Sequence, residues 1–196
     1  MSNSRTDRDR DANWLWIVAF SALALVLRLV PAGFPREDLT RWSAFFSAVG
    51  ALGLFAGARL GSRAAYLVPL SVMLASDLLL LPQLGRDVFS WMTPIIYASY
   101  ALNVAIGRLL RPRSVILWAV PASLLTATQF FLVTNFAVWL GGDGMQYPLT
   151  FAGLLDCYAA GLPFFKYGDL IYTVLFFGMH AAVVPAAARQ KVSQPA

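Results

Sequence analysis

Charge is scarce in this chain. Of its 196 residues only 13% are Asp, Glu, Lys or Arg, while 59% are hydrophobic. Soluble domains carry about 25% charged residues, so half that share, combined with long apolar runs, excludes an ordinary soluble globule and indicates an integral membrane protein. Cysteine is almost missing as well. Cys157 stands alone, which excludes an internal disulfide and a cysteine-built metal site and leaves a small apolar packing residue. There is one histidine, His180, and no Gly-x-Ser-x-Gly or His-Glu-x-x-His. An intramembrane protease needs a nucleophile with its base, or a set of metal ligands, and neither is visible. A Gly-x-x-x-x-Gly-Lys phosphate loop is also lacking, so any energy for transport would come from a partner or an ion gradient. The expectation is a protein that is not an enzyme and needs no cofactor. The balance is basic, with a sequence pI near 9.7, but no basic run is interleaved with aromatics as a nucleic-acid groove requires. The lipid bilayer is the expected partner, and nucleic acid is not.

Six apolar stretches are present, at 14–30, 42–60, 64–81, 91–110, 115–140 and 170–188, each near the roughly 20 residues that a span requires. Breakers and charges separate them, among them Pro31, Gly33 and Pro35, then Gly61-Ser62-Arg63, Gly85-Arg86 and Arg111-Pro112-Arg113. The predicted fold is an all-α integral membrane bundle of six transmembrane helices over 14–188, with tails at 1–13 and 189–196. The first stretch follows Arg5, Arg8 and Arg10, but Asp7, Asp9 and Asp11 alternate with them and no small-residue cleavage site follows Val30. An uncleaved helix is expected there rather than a signal peptide.

Positive loops stay in the cytoplasm. With the N-terminus inside, the inner segments hold Arg5, Arg8, Arg10, Arg59, Arg63, Arg108, Arg111, Arg113, Arg189 and Lys191, and the outer ones only Arg36, Arg41, Arg86 and Lys166. Both termini are therefore expected inside, in the inner (plasma) membrane of a bacterial cell. Residues 148–165 are apolar but interrupted by Asp156, Gly161 and Pro163, and a seventh span would place Arg189 and Lys191 outside. An external re-entrant or interfacial segment is the expectation.

With that orientation each polar residue acquires a depth. Arg28 lies near the outer end of the first span, Asp77 in the outer third of the third, Asn135 and Trp139 in the outer part of the fifth, and Asp169 at the mouth of the sixth. Arg28 stays protonated, and a charge at mid-bilayer costs roughly 2.5 to 3.5 kcal/mol on insertion scales, so it snorkels or finds an anion. Asp77 is the first candidate and Asp169 the second. At 100° per residue Thr128, Asn135 and Trp139 fall within about 40° of one another, presenting an amide and an aromatic face on one stripe. A substrate-binding set of Arg28, Asp77, Asn135, Trp139 and Asp169 is the functional reading. The structural reading makes them an internal ion pair, an interhelical hydrogen bond and an interfacial aromatic. Gly53, Gly57 and Gly61 repeat every four residues on one helical face, which suits close helix packing. Asn103 and His180 read as hydrogen-bonded packing residues.

Residues 45–63 (FFSAVGALGLFAGARLGSR) and 67–80 (LVPLSVMLASDLLL) resemble the substrate-binding S components of energy-coupling-factor vitamin transporters. Residues 129–140, Tyr147-Pro148 and 157–169 (CYAAGLPFFKYGD) are similar to a set of small bacterial membrane proteins of uncharacterised function with the same general plan. The resemblance implies a vitamin-like small molecule held in an outward pocket closed by external loops, with 31–40, Asp77 and 135–169 lining it. It also implies a coupling membrane subunit and ATPases as partners. The nearest counterparts of that family's small-residue contact motif are Ala22 with Val26 and Ala24 with Arg28. A structural or scaffolding protein of the cell envelope is the alternative, and a stand-alone ion-coupled carrier a third.

Overall fold

The computed structural model describes residues 3–33, 45–82, 85, 87–110, 115–141, 147–165 and 167–192, with side chains between Asn13 and Val183 within them apart from 115 and 116. The expected loop over 34–40, the glycine-rich turn at 142–144 and the side chains of both tails lie outside the described residues. Among the described residues all regular structure is helical. Seven α-helices follow one another: α1 (Asn3–Leu29), α2 (Val49–Arg59), α3 (Ala64–Leu80), α4 (Thr93–Arg108), α5 (Val115–Gly141), α6 (Phe151–Gly161) and α7 (Tyr167–Val192), with 3-10 turns at Val30–Gly33 and Leu162–Phe164.

The short helix α2 is the axis of the bundle. Every residue from Val49 to Ala58 is buried, and α2 packs against α1, α3, α4, α5 and α7. Its small residues make that possible. A Cβ at Gly57 would run into the Val104 carbonyl of α4, and one at Gly107 into the Leu54 carbonyl of α2, so the two backbones touch. Gly53 makes an ordinary contact, its added Cβ falling 3.5 Å from that of Asn103, whereas Gly61 has open space around it. Because Gly53 lies beside Tyr100 and Asn103 and Gly57 beside Val104 and Gly107, α2 and α4 run parallel. Aromatic rings fill the other side of α2. Phe20 of α1 stacks on Phe176 of α7 at 4.1 Å and meets Phe55 edge-on at 5.1 Å, and Phe177 closes on Phe55 at 5.1 Å.

Around its apolar core the bundle buries polar side chains and exposes large apolar ones. Ser76, Asp77, Ser99, Asn103, Ser123, Thr126, Asp169 and Thr173 are buried, while Leu15, Leu67, Leu102, Leu117 and Ile171 stand exposed on five different helices. Soluble monomers rarely expose apolar surface on so many sides. Two segments, Asn13–Gly33 and Leu117–Gly141, are long and apolar enough to cross a bilayer, and only 22% and 33% of their most apolar windows are buried. The buried core helix of a soluble protein would show the reverse.

Within the described part of the expected stretch 42–60, Phe45 is helical, residues 46–48 are not, and the helix resumes from Val49. Ser47 is the one polar residue at the break, and a single serine in an apolar run is too little to end a helix. The break is supplied from elsewhere in the chain, by a carboxylate at the start of α7. Residues 148–165 form α6 and the 3-10 turn after it. The segment runs antiparallel to α5, as successive contacts show: Pro148 with Trp139, Cys157 with Asn135, Tyr158 with Leu132, Phe165 with Phe131, and Asp169 with Ser123.

Candidate functional site

The first four N–H groups of any helix lack intrahelical acceptors. For α2 these groups lie inside the bundle, where water cannot serve, and its own N-cap residue Ala48 has no side chain able to accept. Asp169 of α7 fills the role. Its Oδ1 accepts from the backbone N–H of Gly50 at 3.0 Å and of Ala51 at 3.3 Å. A carboxylate at a helix N-terminus also meets the positive end of the macrodipole, which contributes up to about 2 kcal/mol in partly buried geometries. Gly50 is obligatory there, because an added Cβ would occupy the position of the Asp169 carboxylate. Asp169 is 2% exposed, and its backbone carbonyl accepts from Ser123 Oγ of α5 at 3.2 Å. One residue thus joins three helices.

Arg28 and Asp77 form the second part of the site. Arg28 Nη2 lies 2.7 Å from Asp77 Oδ1, and Arg28 Nε donates to Ser76 Oγ at 2.6 Å. Tyr97 OH of α4 donates to the remaining carboxylate oxygen, Asp77 Oδ2, at 3.1 Å. Both oxygens of Asp77 are engaged, and the pair is held from α1, α3 and α4 together. Tyr100 lies one helical turn beyond Tyr97, is 1% exposed, and its hydroxyl is within electrostatic reach of Asp169, Arg28 and Asp77 alike. These two groups, Arg28, Ser76, Asp77 and Tyr97 in one and Asp169 with its N–H donors in the other, make up the polar layer of an otherwise apolar bundle.

Asn135 and Trp139 do not join this layer. Ser123 touches Asp169, and Asn135 lies twelve residues further along the same helix, which at 1.5 Å per residue is about 18 Å. Their partners are local. Asn135 Nδ2 donates to the Phe131 carbonyl one turn back at 2.8 Å, and the Asn135 carbonyl accepts from Cys157 Sγ at 3.3 Å. Trp139 Nε1 donates to the Pro148 carbonyl at 3.0 Å, and Tyr158 OH to the Leu132 carbonyl at 3.2 Å. Gly161 approaches so closely that a Cβ would collide with the Asn135 amide. Asn135 and Trp139 thus fasten α6 and the segment before it to α5, while Thr128 of the same stripe is exposed. Arg28 and Asp77 are paired directly, Asp169 caps α2, and Asn135 and Trp139 lie toward the far end of α5.

Tyr97, Tyr100 and Gly50 had no mark in the sequence. Tyr97 and Tyr100 are aromatics among many, and Gly50 falls outside the four-residue glycine repeat. The Tyr97/Tyr100 spacing of three residues, which puts both on one helical face, was the available signal. At the opposite end of the bundle His180 Nε2 shares a hydrogen bond with Asn13 Oδ1 at 3.1 Å, between the rings of Trp16 and Phe55. Asn103 Oδ1 accepts from Gln129 Nε2 at 2.9 Å. Among the described residues no group of three or more His, Cys, Asp or Glu side chains is placed to hold a metal ion.

Residues 8–193 match a family described as one of unknown function, DUF6580, and the chain belongs to it. No curated protein and no solved structure matches.

Proposed function

We propose that this member of DUF6580 is the substrate-binding subunit of a small-metabolite uptake system, similar in role to the S components of vitamin transporters and without an ATPase of its own. It sits in the inner membrane as a multi-pass bundle of six spans with both termini inside. The helices α6 and α7 with the turn between them return along α5 as one broken segment, of which α6 is the re-entrant part. Outward leucines on several helices and two bilayer-length segments support the membrane placement. A coupling membrane subunit with ATPases would supply the energy.

The observation that carries the reading is the polar layer. It holds a paired guanidinium and carboxylate and, on a second carboxylate, a helix that starts inside the bundle, and such arrangements are costly in an apolar setting and mark substrate pathways. Arg28 can exchange Asp77 for a ligand carboxylate or phosphate, and Tyr97 can follow either acceptor. Asn135 and Trp139 enter as the hinge side of α6, reaching a ligand only when that helix lifts from α5. The test is a thermal-shift screen of the purified full chain against vitamins and anionic metabolites. At least one compound is expected to stabilise it, with the shift lost in Asp77→Asn and affinity reduced by about 1 to 3 kcal/mol in Asn135→Ala. A screen with no stabilising compound would sink the proposal.

One observation favours a scaffolding role instead: Arg28, Asp77, Asn135, Trp139 and Asp169 all have partners within the chain. On that reading an envelope protein co-purifies with the chain and no small ligand does.

A further inference from the structure

We propose that the end of the bundle where α2 and α4 finish binds the headgroup of an anionic phospholipid, through Arg59, Arg63 and Arg108. This rests on the membrane placement above and not on ligand capture. Arg59 is the last residue of α2 and Arg108 the last of α4, and the Gly57 and Gly107 contacts bring those parallel helices to a common end. Arg108 Nη2 reaches across to the Ser62 carbonyl at 2.9 Å, in the turn between α2 and α3, with its guanidinium 4.5 Å from the centre of the Tyr66 ring. Arg63, next to Ser62, is exposed. The Arg59 guanidinium lies 5.9 Å from the Phe55 ring centre. Arg63 and Arg108 therefore flank one short turn, and Arg59 closes the end of α2 just before it.

Among the described residues none of the three arginines has a carboxylate partner, and Nε of both Arg59 and Arg108 is buried without an acceptor. The C-terminal ends of α2 and α4 each supply about half a negative charge, so together they offset about one positive charge of the three. The ring faces attract a cation without neutralising it. About two positive charges remain for an external anion, and planar guanidinium groups suit phosphate oxygens. Apolar surface adjoins them, with Leu67 66% and Leu109 62% exposed. A soluble anion has no use for those leucines, whereas a phospholipid meets the arginines with its phosphate and the leucines with its chains.

Native mass spectrometry of the full chain in neutral detergent tests this, titrating phosphatidylglycerol, phosphatidylcholine and inorganic phosphate. Phosphatidylglycerol is expected to be retained in preference to phosphatidylcholine, and inorganic phosphate not to displace it. Arg63→Gln, at an exposed position that leaves the fold intact, should weaken retention about fivefold, with a further loss in the triple Arg→Gln variant and none in Arg63→Lys. Equal retention of the two lipids, displacement by inorganic phosphate, or indifference to the Arg→Gln changes would overturn the proposal. Such a result with the chain still in the membrane fraction defeats the lipid site alone, whereas a chain recovered outside membranes defeats the placement itself.

Discussion

The junction of α7 with α2 and the junction of α6 with α5 are both closed around a glycine, yet they are built from different forces. At the first, Asp169 reaches N–H groups more than a hundred residues away in the chain, and Gly50 leaves room for a charged group. At the second, Cys157, Tyr158 and Trp139 make neutral hydrogen bonds to nearby backbone, and Gly161 leaves room for an amide. Buried charge meeting a helix terminus is strong and intolerant of change, because its loss strands several N–H groups where no water can reach them. Neutral contacts on a helix that packs along a single neighbour can be broken one at a time. The comparison assigns a fixed core to α2 and α7 and a releasable element to α6.

Substitutions sharpen this contrast when read as unfolding free energy in detergent. Breaking the ion pair from one side, by Arg28→Met or Asp77→Leu, should cost about 3 to 5 kcal/mol, with most of it recovered in the double variant. Gly50→Ala comes next, at about 3 kcal/mol, because the new methyl group displaces the Asp169 carboxylate and removes the cap with it. Trp139→Phe should cost only about 1 kcal/mol, the size of one neutral hydrogen bond, and should raise hydrogen exchange in α6 while leaving α2 protected. Gly61→Ala should stay within about 0.5 kcal/mol, since nothing occupies the space its Cβ would enter. If Trp139→Phe exposed α2 as much as α6, the division into a fixed and a releasable part would fail.

The helical class and the pairing of Arg28 with Asp77 were legible in the sequence, because charges inside long apolar runs have few ways to be satisfied. The internal start of α2 was not legible. Residues 42–60 are apolar apart from Ser43, Ser47 and Arg59, and the partner of the helix start is Asp169, which local hydropathy cannot register. Asn135 misled for the opposite reason: an amide on a helix can bond the carbonyl four residues back, and it does so here with Phe131. The glycine repeat identified a close-packed face, but only contact with α4 distinguishes Gly57, where backbone meets backbone, from Gly61, which is free of neighbours.

The most direct test is ligand binding by the Arg28→Met, Asp77→Leu double variant. Because its buried charges are removed together, it should fold and keep the bundle. The account predicts that a metabolite stabilising the native chain gives this variant no thermal shift. An undiminished shift would contradict it, leaving the ion pair as structure alone.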